Sequence, residues 1–467
     1  MLGTALALSA AIATAPANYT AITGATLIDV SHGGRTSADV RNAVVLIRGD
    51  RIVAAGPPGR FRLPPHTRII PARGRYLIPG LIDGFGALRT QGFADAYLYE
   101  GVTTVYVPLA PPAGGLDGET EVAAPANGLS LLTGAPISGY SASGAVPQAH
   151  PWTEHRLKDR RLSKSELVAA VDAAAAAGRR ALTVGFDVWP EQLDAIVAEA
   201  HRRGLAVTAE LAFTGYEDAA RAGVDVFIRN DKYSLALSPP QDFAAYADDP
   251  IGLGGRAATR SVCVGGPQIE ATLAAFGRML RESRTALMPM LSMEATADEL
   301  GPPNPWSLPS AAFVTPAQMD DPIDPKTGAS PYLASHPDRR EQLQTCARRK
   351  QAIDRELHAR GVLYLAGSST PGFAVMPGGG LHEELRLLQQ IGLRPREALA
   401  AATGNFAEVY RWTDRGALQA GRRADLVILS ADPRADIAAV DAISQVVVAG
   451  RVVDREGLLQ AARQPHP

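Results

Sequence analysis

The sequence predicts an α/β fold: a TIM-like (β/α)8 barrel with a small β-sandwich domain formed from both termini. Three observations predict it. Both ends of the 467-residue chain are rich in short β-branched runs, the middle alternates apolar strands with amphipathic helices, and glycines close those helices. The length suits one large barrel plus a small domain and is too great for one compact sandwich.

The first residues, MLGTALALSAAIATAPA, are apolar and small and end in an A-x-A-like sequence. Segment 1–17 therefore reads as a secretory signal cut near Ala15 or Ala17, with a disordered tail as the alternative. The signal reading predicts a periplasmic or secreted address, where Cys263 and Cys346 could bridge. The segment is too short to span a bilayer, and no transmembrane segment is expected.

Short β-branched runs follow at Ala25–Val30, Ala43–Arg48, Arg51–Ala55 and Thr67–Ile70, with a hairpin turn at Gly49-Asp50. The far end repeats this texture in Ala424–Ser430 and Gln445–Val453. Residues 19–78 plus 413–460 are assigned on that basis to one composite β-sandwich domain.

Residues 79–412 carry the strand–helix alternation of a parallel sheet with crossover helices. Phe93–Glu100 is a helix and Thr103–Pro108 a strand. Ser163–Ala177 is an amphipathic helix with a Ser163/Glu166 capping box. Ala181–Phe186 is a strand, Pro190–Arg203 a helix, Ala206–Leu211 a strand, Tyr216–Ala222 a helix and Val224–Ile228 a strand. Ala286–Met293 is a further strand, Glu341–Arg360 a long charged helix, and Val362–Ala366 the last strand. Gly178, Gly204, Gly223 and Gly361 end their helices. Eight such units close a barrel whose active-site residues sit where the strands end. Leu109–His150 and Gly301–Pro337 break the alternation. They read as lids or a partner surface over the barrel mouth, or equally as variable surface loops.

A net charge of −2 without any basic block argues against a nucleic-acid surface. Two cysteines cannot make a zinc cluster on their own, and the nine histidines include no HExxH and no pair two residues apart.

The stretch Arg75–Leu88, RYLIPGLIDGFGAL, joined to ITGATLIDV and VVLIRGDRIVAAGP upstream, resembles the start of a metal-dependent amidohydrolase of the imidazolonepropionase-like group. The resemblance continues through Ala222-Gly223-Val224-Asp225, Ala366–Gly372, Gly378–Leu385 and Leu393–Asn405 to Gly416–Val427. It implies a fold and leaves function to the site. In the family the first strand runs PGLIDxHxH, and the histidines help bind a divalent metal that activates water. Here Gly84 and Gly86 are read at those histidine positions, Thr183 at a lysine of strand four, Glu210 and Arg229 at histidines of strands five and six, and Ser369 at an aspartate of strand eight. All six positions are changed.

Glu210 and Arg229 are the candidate polar centre, with Ser369 and Thr183 beside them: a carboxylate and a guanidinium on neighbouring strands can form a bidentate pair that replaces the charge of the lost cation. Asn230 is the alternative to Arg229 if the strand-six register is off by one. His382 reads as a structural hydrogen-bonding residue, and His201 as a cation in the last turn of a helix. His150 and His155 lack further ligands, Asp187 reads as the cap of the following helix, and Ser368 and Ser369 have no histidine to activate them. The resemblance thus implies a family member that has lost its metal and hydrolytic activity. It would act as a ligand-binding barrel, as a homo-oligomer, or as the inactive partner of an active amidohydrolase, with no cofactor. The alternative is a hydrolase of amide or cyclic-amide C–N bonds with an atypical site, and only there is a divalent metal such as zinc expected.

Overall fold

The computed structural model describes residues 19–108, 126–139, 161–250, 253–301, 304–320 and 323–464. The segment read as a signal, most of Leu109–His150, and His155 lie outside the described residues.

Strands β1 (Tyr19–Leu27), β2 (Val40–Arg48), β3 (Arg51–Gly56), β4 (Arg68–Pro71) and β5 (Tyr76–Pro79) come from the N-terminal end. The barrel region supplies β6 (Leu81–Asp83), β7 (Val102–Val107), β8 (Ser130–Thr133), β9 (Ala135–Ile137), β10 (Ala181–Val184), β11 (Ala206–Ala209), β12 (Val226–Ile228) and β13 (Ala286–Met288). The C-terminal end adds β14 (Leu426–Leu429), β15 (Ile443–Val448) and β16 (Arg451–Val452).

The two ends share one eight-stranded sheet in the order β16-β15-β14-β5-β1-β2-β3, with β4 beside β1. It curls onto itself: Gly421 N–H donates to Ile52 O at 2.8 Å and Ala424 N–H to Asp50 O at 2.7 Å, so β3 meets the chain that enters β14. The enclosed core includes Ile22, Val45, Ile52, Leu77, Leu426 and Val447. Strands this short form because alternate apolar residues gain an interior to fill.

In the middle, β6, β7 and β8 pair in parallel, and β9 to β13 form a second parallel series. Thr133 and Ala135 place β8 and β9 end to end along one path. Leu287 N–H donates to Leu363 O at 2.9 Å, and Gly84 N–H to Ala366 O at 3.0 Å, so the order passes through 362–366 and returns to β6. This circular order supports a TIM-like barrel. Inward-pointing Ile82, Tyr106, Val226, Met288, Leu365, Phe406 and Trp412 fill it, as barrel interiors require.

The helices used below are α1 (Gln91–Tyr99), α2 (Lys164–Ala176), α3 (Pro190–Arg202), α4 (Tyr216–Ala222), α5 (Asn230–Tyr233), α6 (Pro240–Asp248), α7 (Leu253–Val264), α8 (Pro267–Ser283), α9 (Leu291–Ala297), α10 (Arg340–Ala359), α11 (Gly379–Gln390) and α12 (Pro395–Ala401). The Ser163/Glu166 capping box starts α2, and Gly223 at φ 95° ends α4. Two expectations need correction. Ala286–Met293 splits into β13 and the start of α9, because Met290 turns to φ 56° and Leu291 onward is helical. Val362–Ala366 pairs through an isolated bridge at Tyr364 rather than as a named strand. The described part of Gly301–Pro337 forms short 3-10 turns and one short α-helix, Pro331–Ser335, each opened by a proline.

Polar contacts bind the two regions together. Arg396, on α12, donates to both oxygens of Asp39 at 2.5 and 2.7 Å, and Arg434 adds a third bond at 2.7 Å. His382, on α11, lies 2.8 Å from Asp441 Oδ1 through Nδ1 and 2.8 Å from Glu100 O through Nε2. It is the structural bridge that its position suggests. No helix among the described residues is long and apolar enough to cross a membrane.

Candidate functional site

Strand ends decide which side chains meet at the mouth. In β11 the inward residue Thr208 bonds Tyr410 Oη at 2.8 Å, and two residues further along the same face stands Glu210, held by its N–H to Val184 O at 3.0 Å. Arg229 follows β12 directly, and its N–H donates to Met288 O at 2.9 Å. It adopts φ 63°, ψ 109°, a conformation an L residue holds only under constraint. The constraint comes from Asn230, whose buried amide donates to Glu294 at 3.2 Å and to Asp354 at 3.4 Å.

Arg229 and Glu210 come together: Nη1 stands 3.6 Å from Oε1. The bidentate pairing expected between them is absent. Arg229 instead donates through Nε and Nη2 to the two oxygens of Asp231, at 3.2 Å each. Asp231 lies two residues on, inside the first turn of α5, where the turn swings its carboxylate back to the guanidinium. Glu210 Oε1 is buried and accepts no hydrogen bond. Lys232 completes the group, 3.5 Å from Asp231 and 5.6 Å above the Phe186 ring.

The electrostatics follow from burial and neighbours. Burial pushes the Glu210 carboxyl up, and the charge of Arg229 offsets that in part. Burial would also raise Asp231, but Arg229 outweighs it and holds that carboxyl well below the usual range. Arg229 stays protonated because Asp231 and Glu210 overcome its desolvation.

The other expected residues lie elsewhere. Thr183 is buried in register with Thr208, one layer deeper than Glu210. Ser369 has φ 60° and donates its N–H to Phe85 O at 2.7 Å. None of the described hydrogen bonds or ion pairs joins either residue to Glu210 or Arg229. Ser368 donates to Asp83 through N–H at 2.9 Å and Oγ at 2.6 Å. Burial lifts that aspartate to about 6 against these bonds. His201 pairs with Asp225 at 2.9 Å. Asp187 is no helix cap: α3 is capped at Trp189, and Asp187 accepts from Ser138 inside the protein.

The first-strand frame also needs correction. Counted from Asp83, PGLIDxHxH places its histidines at Phe85 and Ala87, one residue beyond Gly84 and Gly86. Neither can bind a metal, and the space is filled. A Cβ on Gly84 would lie 2.4 Å from Phe406 Cζ and 2.8 Å from Met288 Cε, and one on Gly367 would lie 2.6 Å from Met288 Sδ and 3.0 Å from Phe85 Cβ. Apolar side chains therefore pack the centre beside β6, β13 and 362–366. Among the described residues no group of three or more His, Cys, Asp or Glu could hold a metal ion. The residues present do not fit the divalent metal that the resemblance implies.

Comparison with known proteins separates scaffold from site. Residues 378–454 match the model of the amidohydrolase family. A bottromycin amidohydrolase superposes with a TM-score of 0.64 at 20% identity, covering 95% of this chain and 90% of that one. A molinate hydrolase gives 0.60 at 18% identity, covering 97% and 98%. The chain shares the fold of these two hydrolases. Adenine deaminase 2 of Rhizobium etli is 41% identical over 87 residues, and the adenine deaminase of Paracoccus denitrificans 31% over 122. The first match takes in 19% of this chain and 14% of the relative, and the second 24% and 20%. The chain thus spans under a quarter of either relative. The family match begins at Gly378, beyond Glu210, Arg229 and Asp231, so the amidohydrolase likeness there concerns the frame that follows the last barrel strand.

Asp231 and Lys232 escaped the sequence reading because they lie past the strand end. Their signal was the run Arg229-Asn230-Asp231-Lys232, four polar residues where a strand stops.

Proposed function

We propose that this chain is a ligand-binding barrel on an amidohydrolase frame, without the hydrolytic metal of that family. The observation that carries the reading is the filled centre: Phe406 and Met288 occupy the space beside Gly84, and Phe85 stands where the motif has its first histidine. The polar mouth that remains, Glu210, Arg229, Asp231 and Lys232, has a formal charge of zero and one carboxylate with unfilled hydrogen-bonding capacity. Such a group can hold and orient a small polar molecule. An extracytoplasmic address accompanies the reading, supported by the apolar first residues and the Cys263–Cys346 disulfide.

Elemental analysis of the purified protein by inductively coupled plasma mass spectrometry tests this, with Glu210→Gln measured in parallel. Less than about a tenth of an equivalent of zinc, manganese or iron is expected in both. Near one equivalent, lost in the variant, would overturn the reading and make Glu210 a ligand of a hydrolase centre.

A further inference from the structure

Helices α6 and α7 lie in the excursion between β12 and α8, and two of their ties among the described residues bear on the site. Tyr246 of α6 is fully buried. Its hydroxyl donates to the backbone oxygen of Leu211, the neighbour of Glu210, at 2.9 Å. Its ring meets Phe186 edge-on, centroids 6.5 Å apart, and it lies within electrostatic reach of Glu210, Asp231 and Arg229. The tyrosine thus closes one side of the polar mouth. Ser261 of α7 donates to Asp242 of α6 at 2.5 Å, so the two helices are joined to each other.

The second fastening is covalent. Cys263, in the last turn of α7, is disulfide-bonded to Cys346 of α10, with Cα atoms 4.6 Å apart. Cys346, Lys350 and Asp354 stand four residues apart and share one face of α10. Lys350 pairs with Glu294 there, and Asp354 receives Asn230, Tyr233 and Tyr364. The bond therefore ties α7 to the helix face that anchors the residue next to Arg229. Among the described residues, α7 otherwise places only Ala258 and Val262 in the hydrophobic core, a small apolar area to hold it down. Cys263 is half-buried beside Val264, which is 80% exposed, so the bond lies near the protein surface.

We propose that Cys263–Cys346 is a redox latch on α6 and α7 that controls access to the Glu210–Arg229 mouth. The latch regulates the site of the ligand-binding reading and rests on it. A dithiol reductant attacks Cys263 Sγ as its thiolate, and Cys346 leaves as a thiolate that takes a proton. The second thiol of the reductant then attacks the mixed disulfide and releases Cys263. The protein disulfide gains two electrons and two protons, and the reductant's thiols become one disulfide. Freed at α7, the pair moves and lifts Tyr246 from the mouth.

The test compares full-length oxidised protein, the same protein in dithiothreitol, and the Cys263→Ser/Cys346→Ser variant. Hydrogen–deuterium exchange is read over α6, α7 and the barrel strands, and phenylglyoxal labelling of Arg229 is followed by peptide mass. Reduction and the double variant are both expected to speed exchange in α6 and α7 by about fivefold or more, with β11 unchanged. Arg229 labelling should rise several-fold in parallel. An unchanged Arg229 rate would overturn the latch. So would a loss of protection throughout the barrel, which would make the bond a global staple. Neither readout depends on metal content, so the latch and the metal-free reading fail separately.

Discussion

The guanidinium of Arg229 holds Asp231 from two donors, Nε to Oδ1 and Nη2 to Oδ2, at 3.2 Å each. The carboxylate nearest in sequence, and not the one across the strands, is thus its structural counter-ion. That leaves Glu210 at 3.6 Å as the member of the group able to turn to a ligand.

Removing the two carboxylates should therefore have unequal effects. Asp231→Asn leaves a largely buried guanidinium without its bidentate partner and should cost about 3 kcal/mol. Glu210→Gln should change stability by less than about 1 kcal/mol, because the buried Oε1 accepts no hydrogen bond in the fold. Urea unfolding of both variants reads the difference, and equal losses would contradict the assignment.

Asp39 ties the barrel to the composite sheet. Burial would raise its carboxyl, but the bonds from Arg396 and Arg434 prevail and hold it at about 2. A lowered carboxyl contributes stability above its ordinary value of 3.8, and that contribution is lost as pH falls through 2. Arg396→Ala should cost about 2 kcal/mol at pH 7 and little near pH 2, measured by denaturant midpoints at each pH.

Glu384 behaves in the opposite sense. It is fully buried, accepts Ser292 N–H at 2.7 Å, and burial lifts its carboxyl to about 8. The folded state keeps this proton after the unfolded chain has lost it near 4.5, so stability falls as pH rises from 4.5 to 8. Glu384→Gln carries no such proton and should flatten that decline in a pH series of thermal unfolding. A slope identical to the parent would refute the protonated state.

Placing an imidazole at Gly84, next to the motif's first histidine position, should not create a metal site. Gly84→His would drive its Cβ against Phe406 and Met288 and should cost about 1–3 kcal/mol through overpacking. Zinc titration followed by dialysis should leave no bound equivalent in the variant, whereas a stoichiometric zinc would show the centre to be more yielding than its packing.

Much of the scaffold was legible in the sequence. The Ser163 capping box, the glycine stops and the β-branched runs at both ends are local signals, and local physics produced them. What escaped needed three dimensions. Met290 enters the left-handed region and ends β13 early, which no periodicity in an apolar run reveals. Strand alternation places Glu210 toward Arg229, but it says nothing of the turn that returns Asp231 to the same guanidinium. The Gly84 and Gly86 assignment slipped by one residue within a run of small residues, and the packing of Phe85 and Phe406 shows what fills the place.

The composite sheet sets an order of events during synthesis. Strand β14 is sandwiched between β5 and β15, yet β5 leaves the ribosome with the first fifth of the chain and β14 with the last. Until the C-terminal end emerges, β5 presents an unpaired edge and the apolar face that β14 will cover, the kind of surface that seeks other chains. The growing polypeptide must complete its barrel with that edge bare. A truncation before Leu426 would therefore make its presence felt first as aggregation of the nascent protein, and only later as an altered mouth.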